Sequence, residues 1–303
     1  DLKIELPELL YERVVEVKER LDKDGAVLCQ LDENGARTAL REAKMQGIDS
    51  VAIAFMHGYL NCEHEARVAA IAAEEGFGQI SVSHKTSPLM KLVSRGDTTV
   101  VDAYLSPILR RYVQQVSEEL GSEKGANLMF MQSNGGLTDA RLFQGKDAIL
   151  SGPAGGVVGM VKTGELAGYD RLIGFDMGGT STDVRHYAGQ YERSFETEVA
   201  GVRVRAPMMN IHTVAAGGGS ILSYKDGRFQ VGPESAGANP GPACYRRGGP
   251  LTVTDCNVLL GKLQPQHFPD VFGENGVRAI LWHQGESNAA RRTSAEASLS
   301  PSC

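Results

Sequence analysis

Residues 171–183, RLIGFDMGGTSTD, join a short apolar run to a glycine turn. The run Arg171–Phe175 predicts a β-strand, and the order Asp-x-Gly-Gly-Thr follows it from Asp176. Gly178 and Gly179 let the backbone adopt positive φ and approach an anion closely. Successive backbone N–H groups can then form a nest for phosphate oxygens. The stretch therefore predicts a phosphate-binding hairpin in an α/β fold, with an ordinary β-hairpin around a Gly-Gly turn as the alternative.

The side chains around this turn suit the same ligand. Thr180, Ser181 and Thr182 carry hydroxyl donors, and Asp176 carries a carboxylate. Mg²⁺ favours one or two carboxylates together with phosphate and water, so Asp176 is the candidate metal ligand. Asp176 and Asp183, which flank the hydroxyls, are the candidate catalytic residues. The stretch lacks both the P-loop pattern GxxxxGK[ST] and the Rossmann pattern GxGxxG, which leaves a phosphate hairpin of another class.

Two further glycine-rich segments favour a nucleotide site. The segment 151–156, SGPAGG, runs into a predicted helix whose N-terminus attracts anions. The segment 215–220, AAGGGS, can let a flat nucleotide lie against the backbone. Each segment alone is equally compatible with a packing turn or a plain flexible loop. The candidate nucleotide contacts in these segments are Gly155, Gly156, Gly217, Gly218 and Gly219.

Composition excludes several classes of protein. The chain has 303 residues, 31 basic and 37 acidic side chains and a net charge of −6, which disfavours a nucleic-acid binder that neutralises phosphates with a basic surface. No window contains the roughly 18 consecutive apolar residues of a membrane-spanning helix. The five cysteines are scattered without CxxC spacing, which favours free thiols in a reducing cytoplasm.

Hydrophobic periodicity predicts an α/β chain with a mainly parallel sheet. The predicted helices cover residues 34–46, 63–75 and 97–120, and Pro107 is expected to kink or divide the last one. The predicted strands cover residues 48–55, 80–83, 127–132 and 171–175. Alternating residues over 184–205 predict antiparallel strands, and the segment 211–222 predicts a strand, a glycine turn and a further strand or helix.

Three other sets of residues have open interpretations. Asp102 is either a functional carboxylate or an acid on a helix surface. His57, His64 and Glu65 have loose metal-ligand spacing, but His64 lies at a helix start, so helix capping or solvation is the favoured interpretation. Cys244 and Cys256 lack a nearby histidine, so we interpret them as inert thiols.

The chain resembles the hydantoinase A/5-oxoprolinase family, most closely the ATP-dependent 5-oxoprolinases. The resemblance is based on VSRGDTTVVDAYLSP, FMQSNGGL, KDAILSGPAGGVVG, IGFDMGGTSTDV, IHTVAAGGGSI and VGPESAGANPGPACY, among others in family order from about residue 8 to 273. The resemblance implies an actin-like ATPase fold, which consists of ribonuclease-H-like lobes with a mixed sheet flanked by helices. It also implies ATP and Mg²⁺ as cofactors. In that fold Asp176 would face Mg²⁺, while Gly178, Gly179 and Thr180 would bind phosphate. The glycines at 217–219 would lie by the adenosine.

The resemblance also implies an activity. Members open cyclic amides with hydrolysis of ATP, which here suggests 5-oxoproline converted to glutamate in glutathione metabolism, or a hydantoin. A hydantoinase B-type domain or subunit is the expected partner and an oligomer the expected state, with no nucleic-acid or membrane partner. The alternative is a catalytically incomplete fragment or A-type subunit that binds nucleotide or a B-type partner. A sugar kinase has similar phosphate loops, but the PESAGANPGPACY block disfavours it.

The resemblance suggests three regions. Residues 1–88 would be the end of the family's N-terminal domain, whose own phosphate loop is missing, so we expect weak or no ATPase activity from this chain alone. Residues 89–273 would form the core domain. Residues 274–303 are expected to be a divergent, disordered tail, in which VRAILWHQGESNA resembles a block of sialate O-acetylesterases. Gln284 and Glu286 in that block are not expected to support an esterase, because its nucleophile motif is not evident.

Overall fold

A computed structural model of the chain describes residues 9–120, 128–199, 201–245 and 247–263. The chain divides into two compact units, one of residues 1–162 and 191–210 and one of residues 163–190 and 211–303. The tail predicted for residues 274–303 lies outside the described residues. The three regions suggested by the sequence resemblance remain a prediction.

The described elements alternate between helices and strands in the first part of the chain and are mostly strands afterwards. The helices are α1 Glu33–Met45, α2 Glu63–Glu74, α3 Ser83–Thr86, α4 Leu92–Glu119, α5 Gly145–Ala148, α6 Ser151–Leu166 and α7 Val253–Leu259. The strands are β1 Arg20–Leu21, β2 Val27–Cys29, β3 Ser50–Ile53, β4 Gln79–Val82, β5 Met129–Met131, β6 Leu137–Asp139, β7 Arg171–Met177, β8 Thr182–Ala188, β9 Arg193–Ser194, β10 Thr197–Val199, β11 Val202–Val204, β12 Met208–Met209, β13 His212–Val214, β14 Ser220–Lys225 and β15 Arg228–Ser235.

The first unit contains the parallel strand pair β3–β4, connected through α2. Ala36, Ile53, Val68 and Val82 form a buried cluster between this pair and helices α1 and α2. The carboxylate of Asp32 accepts a hydrogen bond from the Gly35 N–H at 2.9 Å and caps α1. The predicted helices 34–46 and 63–75 and the strands within 48–55 and 80–83 are thus confirmed, with small shifts at their ends.

Two expectations for the first unit are wrong. The β3–β4 pair is the one parallel pair among the described strands, because the pairs β1–β2, β5–β6, β9–β12 and β10–β11 are antiparallel. The described strand pairs are therefore mostly antiparallel rather than mainly parallel. Helix α4 continues through Pro107 from Leu92 to Glu119, so a division at Pro107 is wrong, while a kink there stays a prediction. Proline removes one backbone donor, and the buried N-terminal half of α4 stabilises the helix despite that loss.

Asp102 is neither a surface acid nor an open carboxylate. It lies on α4, is 4% exposed and accepts hydrogen bonds from the Ser81 hydroxyl at 2.6 Å and the Lys146 backbone N–H at 3.2 Å. A third bond comes from the Ser106 hydroxyl at 3.3 Å. The side chain therefore connects α4 to β4 and to the start of α5.

We expect Asp102→Ala to lower the free energy of unfolding by about 3 kcal/mol, because it leaves buried donors without an acceptor. Urea denaturation followed by circular dichroism measures the loss. Glu118→Ala, at the exposed end of the same helix, is the control and should change stability by about 0.5 kcal/mol or less. Equal effects of the two substitutions would contradict a structural role for Asp102.

The second unit contains the three-stranded antiparallel sheet β7–β8–β13 and the hairpin β14–β15. The strand predicted at 171–175 extends to Met177. The antiparallel strands predicted over 184–205 are confirmed by β8 in this unit and by the β10–β11 pair in the first unit. Helix α7 begins at a capping box, in which Asp255 and Thr252 bond each other's backbone N–H groups. Among the described residues, none of the helices has the length and apolar character needed to cross a membrane.

Candidate functional site

The predicted phosphate hairpin lies at the β7–β8 turn. The strands pair so that Asp176 faces Asp183 directly and Met177 faces Thr182. Residues 178–181 form the turn, and the Gly178 N–H donates to the Ser181 carbonyl at 2.7 Å. Within the part of the chain that the structure describes, the next two N–H groups, those of Gly179 and Thr180, have no hydrogen-bond partner. The turn therefore offers two adjacent backbone donors, which is the start of an anion nest.

The glycine segment 215–220 packs directly against this turn. The Gly218 N–H donates to the Gly178 carbonyl at 2.9 Å, and the Gly219 N–H donates to the Gly179 carbonyl at 2.7 Å. A Cβ at Gly217 would lie 2.6 Å from the Gly179 carbonyl carbon and oxygen. The structure thus brings two of the predicted glycine segments together. Since the segment is buried and hydrogen-bonded, the flexible-loop interpretation is wrong.

This packing restricts what the second segment can contribute to a ligand. Its Gly217 N–H donates to the Ser220 hydroxyl at 3.0 Å, so all three N–H groups of residues 217–219 already have acceptors inside the protein. Thr182 is also occupied: it is 5% exposed, and its hydroxyl donates to the Ala216 carbonyl at 2.6 Å. Thr182 therefore holds the segment in place, while the exposed Thr180 and the half-buried Ser181 keep their hydroxyls at the turn.

The two candidate catalytic carboxylates share one cation. The Arg185 Nη2 atom lies 3.2 Å from Asp176 Oδ2 and 3.3 Å from Asp183 Oδ2. The side chain of Asp176 is half exposed, and that of Asp183 is 18% exposed. Thr213 on β13 donates its hydroxyl to Asp183 Oδ1 at 2.8 Å. The sequence interpretation missed Arg185, although the alternation of β8 places it on the same face as Asp183.

The third glycine segment has a different structure from the predicted one. Helix α6 begins at Ser151, so Gly155 and Gly156 lie inside the helix and not in a turn that precedes it. Both residues belong to the first compact unit, whereas the hairpin belongs to the second. A nucleotide role for Gly155 and Gly156 therefore has no support from helix-terminus geometry and remains a prediction from the resemblance.

His64 and Glu65 each have a polar partner in the first unit, whereas the buried Nδ1 atom of His57 has no hydrogen-bond partner among the described residues. His64 Nδ1 lies 2.8 Å from Glu19 Oε2, and Glu65 is fully buried with its Oε2 2.7 Å from His84 Nδ1. His64 is therefore not a solvated residue. In the described ranges, no group of three or more histidine, cysteine, aspartate or glutamate side chains has the geometry of a metal site.

Proteins of known structure share this fold. The nucleotide-free structure of an acetone carboxylase, studied for ATP-dependent acetone carboxylation, matches with a TM-score of 0.68 and 28% identity over 90% of this chain and 39% of its own. The crystal structure of ATP-dependent caprolactamase from Pseudomonas jessenii matches with a TM-score of 0.68 and 36% identity over 82% of this chain and 37% of its own. The predicted actin-like α/β fold class is confirmed.

The chain belongs to the hydantoinase/oxoprolinase family. The Hydantoinase/oxoprolinase model matches residues 95–282, and the model of the family's N-terminal region matches residues 1–76. The 5-oxoprolinase of Saccharomyces cerevisiae is 49% identical over 255 residues, which are 82% of this chain and 20% of that protein. The caprolactamase subunit alpha of Pseudomonas jessenii is 38% identical over 80% of this chain and 36% of its own length. The chain spans a quarter or less of the curated 5-oxoprolinases that it matches.

Proposed function

We propose that this chain is the nucleotide-binding part of an ATP-dependent hydrolase that opens a cyclic amide, with 5-oxoproline as the substrate. The β7–β8 turn carries the proposal, because it places two unpartnered backbone N–H groups beside a half-exposed carboxylate. The 49% identity to a 5-oxoprolinase supports the choice of substrate, and the caprolactamase relative supports cyclic amides as the substrate class. A hydantoin is the alternative ring.

The residues at the turn have separate tasks in this proposal. The N–H groups of Gly179 and Thr180, together with the Thr180 and Ser181 hydroxyls, bind phosphate oxygens and orient them. Gly178 is part of the turn, and the segment 217–219 holds the turn in position through its backbone hydrogen bonds. ATP, when bound, would supply a phosphoryl group to the amide oxygen of the substrate, with ADP as the leaving group, and this would make the amide carbon reactive toward water. The contribution of the protein is to position the phosphates and to neutralise their charge.

Mg²⁺ fits Asp176 only together with nucleotide. Within the described chain, only the Oδ2 atom of Asp176 has a partner, which leaves Oδ1 for a cation. A single carboxylate is a weak site by itself, but it suits Mg²⁺ when phosphate oxygens and water complete the octahedron. Asp183, which contacts Arg185 and Thr213, would bind a water of that cation.

The partner and the setting are proposed from the relatives. The caprolactamase relative is named as an alpha subunit, which supports a hydantoinase B-type domain or subunit as the partner. An oligomeric state is proposed from the family resemblance alone. Among the described residues, Cys29, Cys62 and Cys256 are free thiols, which supports a cytoplasmic location. The alternative proposal is that the chain binds nucleotide or a partner without completing the reaction.

We expect Asp176→Asn to weaken binding of Mg·ATP by about tenfold or more, because the neutral amide loses the charge that faces the cation. Isothermal titration calorimetry on the whole chain measures the change. Asp226→Asn, at the exposed turn between β14 and β15, is the matched control and should leave the affinity unchanged. Equal affinities of Asp176→Asn and the unsubstituted chain would contradict the proposed site.

A further inference from the structure

The buried guanidinium of Arg185 lies between the two carboxylates of the β7–β8 hairpin. Its side chain is 6% exposed, and its Nη2 atom bridges Asp176 and Asp183 at 3.2 and 3.3 Å. Its Nε atom is buried and has no hydrogen-bond partner among the described residues. A guanidinium stays charged in proteins, so this side chain provides a fixed positive charge at the hairpin.

The strand register explains why a cation is needed there. Asp176 and Asp183 are directly opposite in the antiparallel pair β7–β8, and like charges in such positions repel each other. Arg185 follows Asp183 by two residues on the same face, and its cross-strand neighbour is Gly174, which has no side chain. The guanidinium therefore reaches past Gly174 to both carboxylates. Tyr187, the next residue on this face, donates its hydroxyl to Glu165 at 3.3 Å.

We propose that Arg185 is a positioning residue that makes cation binding at this hairpin depend on nucleotide. Two facing carboxylates without Arg185 would form a site of charge −2 that attracts a free divalent cation. Arg185 reduces that charge to −1 and occupies one oxygen of each carboxylate. A cation then needs additional negative ligands, and the oxygens of a polyphosphate at the Gly178–Ser181 turn supply them. This inference rests on the proposed function, because it assumes that the turn binds a nucleotide.

The test measures binding of free Mn²⁺ to the whole chain without nucleotide, by electron paramagnetic resonance. We expect Arg185→Gln to bind free Mn²⁺ about tenfold more tightly than the unsubstituted chain, because the compensating charge is gone. Arg185→Lys keeps the charge and should bind like the unsubstituted chain. Asp176→Asn in the Arg185→Gln background should abolish the gain, which would locate the cation at this carboxylate. Arg185→Met, of similar length, replaces the glutamine variant if that variant does not fold.

The outcomes separate this inference from the proposed function. Equal Mn²⁺ affinity of folded Arg185→Gln and the unsubstituted chain would overturn the inference, and so would a gain that survives Asp176→Asn. If both uncharged variants failed to fold while Arg185→Lys folded, the positive charge would be assigned to stability alone. That result would also overturn the inference. A parallel titration with Mg·ATP tests the nucleotide site itself. If the unsubstituted chain does not bind Mg·ATP, the proposed function fails whatever the Mn²⁺ result is.

Discussion

Gly217→Ala is expected to lower the free energy of unfolding of the second unit by about 3 kcal/mol. The added methyl carbon would lie 2.6 Å from the carbonyl carbon and oxygen of Gly179 and 2.7 Å from the Gly178 oxygen. All of these are backbone atoms, so no side-chain rotation relieves the overlap. The segment 215–220 must therefore separate from the β7–β8 turn, and the hydrogen bonds from Gly218 and Gly219 to that turn must break.

Two measurements follow this change. Urea denaturation gives the loss of stability, and hydrogen–deuterium exchange of the segment 215–220 should accelerate because its N–H groups lose their acceptors. Gly159→Ala is the control, since it adds the same methyl to an exposed position of α6 with nothing within 4 Å. That substitution should stabilise the chain by about 0.5–1 kcal/mol, because alanine favours helix more than glycine does. Gly159→Ala should leave the exchange of 215–220 unchanged. If Gly217→Ala also left it unchanged, the packing of this segment against the β7–β8 turn would be contradicted.

The hairpin was predictable because its signals are local. An apolar run, a glycine pair and a second alternating run follow one another between Arg171 and Ala188, and the β7–β8 pair confirms them. The glycine cluster in 215–220 can also be recognised in the sequence, but its packing against the β7–β8 turn cannot. Whether their N–H groups bind a ligand or the backbone of another turn depends on Gly178 and Gly179, which are distant in the chain.

The segment 151–156 shows how composition misleads. Three glycines and a proline suggest a turn, yet the structure has a helix from Ser151. Proline is tolerated in the first turn of a helix, and the buried residues Ala154, Val157 and Val161 form one apolar stripe along α6. Packing of that stripe outweighs the poor helix propensity of glycine. The periodicity was present in the sequence but was masked by the glycine pattern.

The polar network around Glu65 was not predictable, because its members are brought together only by the fold. Glu65 accepts hydrogen bonds from the Phe55 N–H at 2.9 Å, the Ser83 hydroxyl at 2.5 Å and the His84 N–H at 3.0 Å. Ser83 in turn accepts a bond from Arg95 Nε at 2.8 Å. The pairing of β3 with β4 and the position of α4 decide these contacts, and neither leaves a pattern around residue 65.

Arg95→Met is expected to lower the free energy of unfolding of the first unit by about 3–5 kcal/mol, because it leaves the Glu65 carboxylate buried without its nearby cation. Arg95 is fully buried and donates to the Leu89 carbonyl at 3.0 Å, to the Met56 carbonyl at 3.1 Å and to the Phe55 carbonyl. Burial lowers the pKa of the Arg95 guanidinium, and the charge of Glu65 partly opposes that shift.

Urea denaturation of four variants, Arg95→Met, Glu65→Gln, the double variant of these two and a control, separates the charge from the lost hydrogen bonds. Arg67→Met is the control, because Arg67 pairs with Glu33 at the surface and should cost about 1 kcal/mol or less. Arg95→Met with Glu65→Gln removes both charges, so it should recover part of the stability lost in Arg95→Met alone. A single Arg95→Met loss no larger than that of Arg67→Met would contradict the network. The loss in the double variant could instead equal the sum of the losses in Arg95→Met and Glu65→Gln. The four hydrogen-bond acceptors of Arg95, and not the charge of Glu65, would then account for the loss.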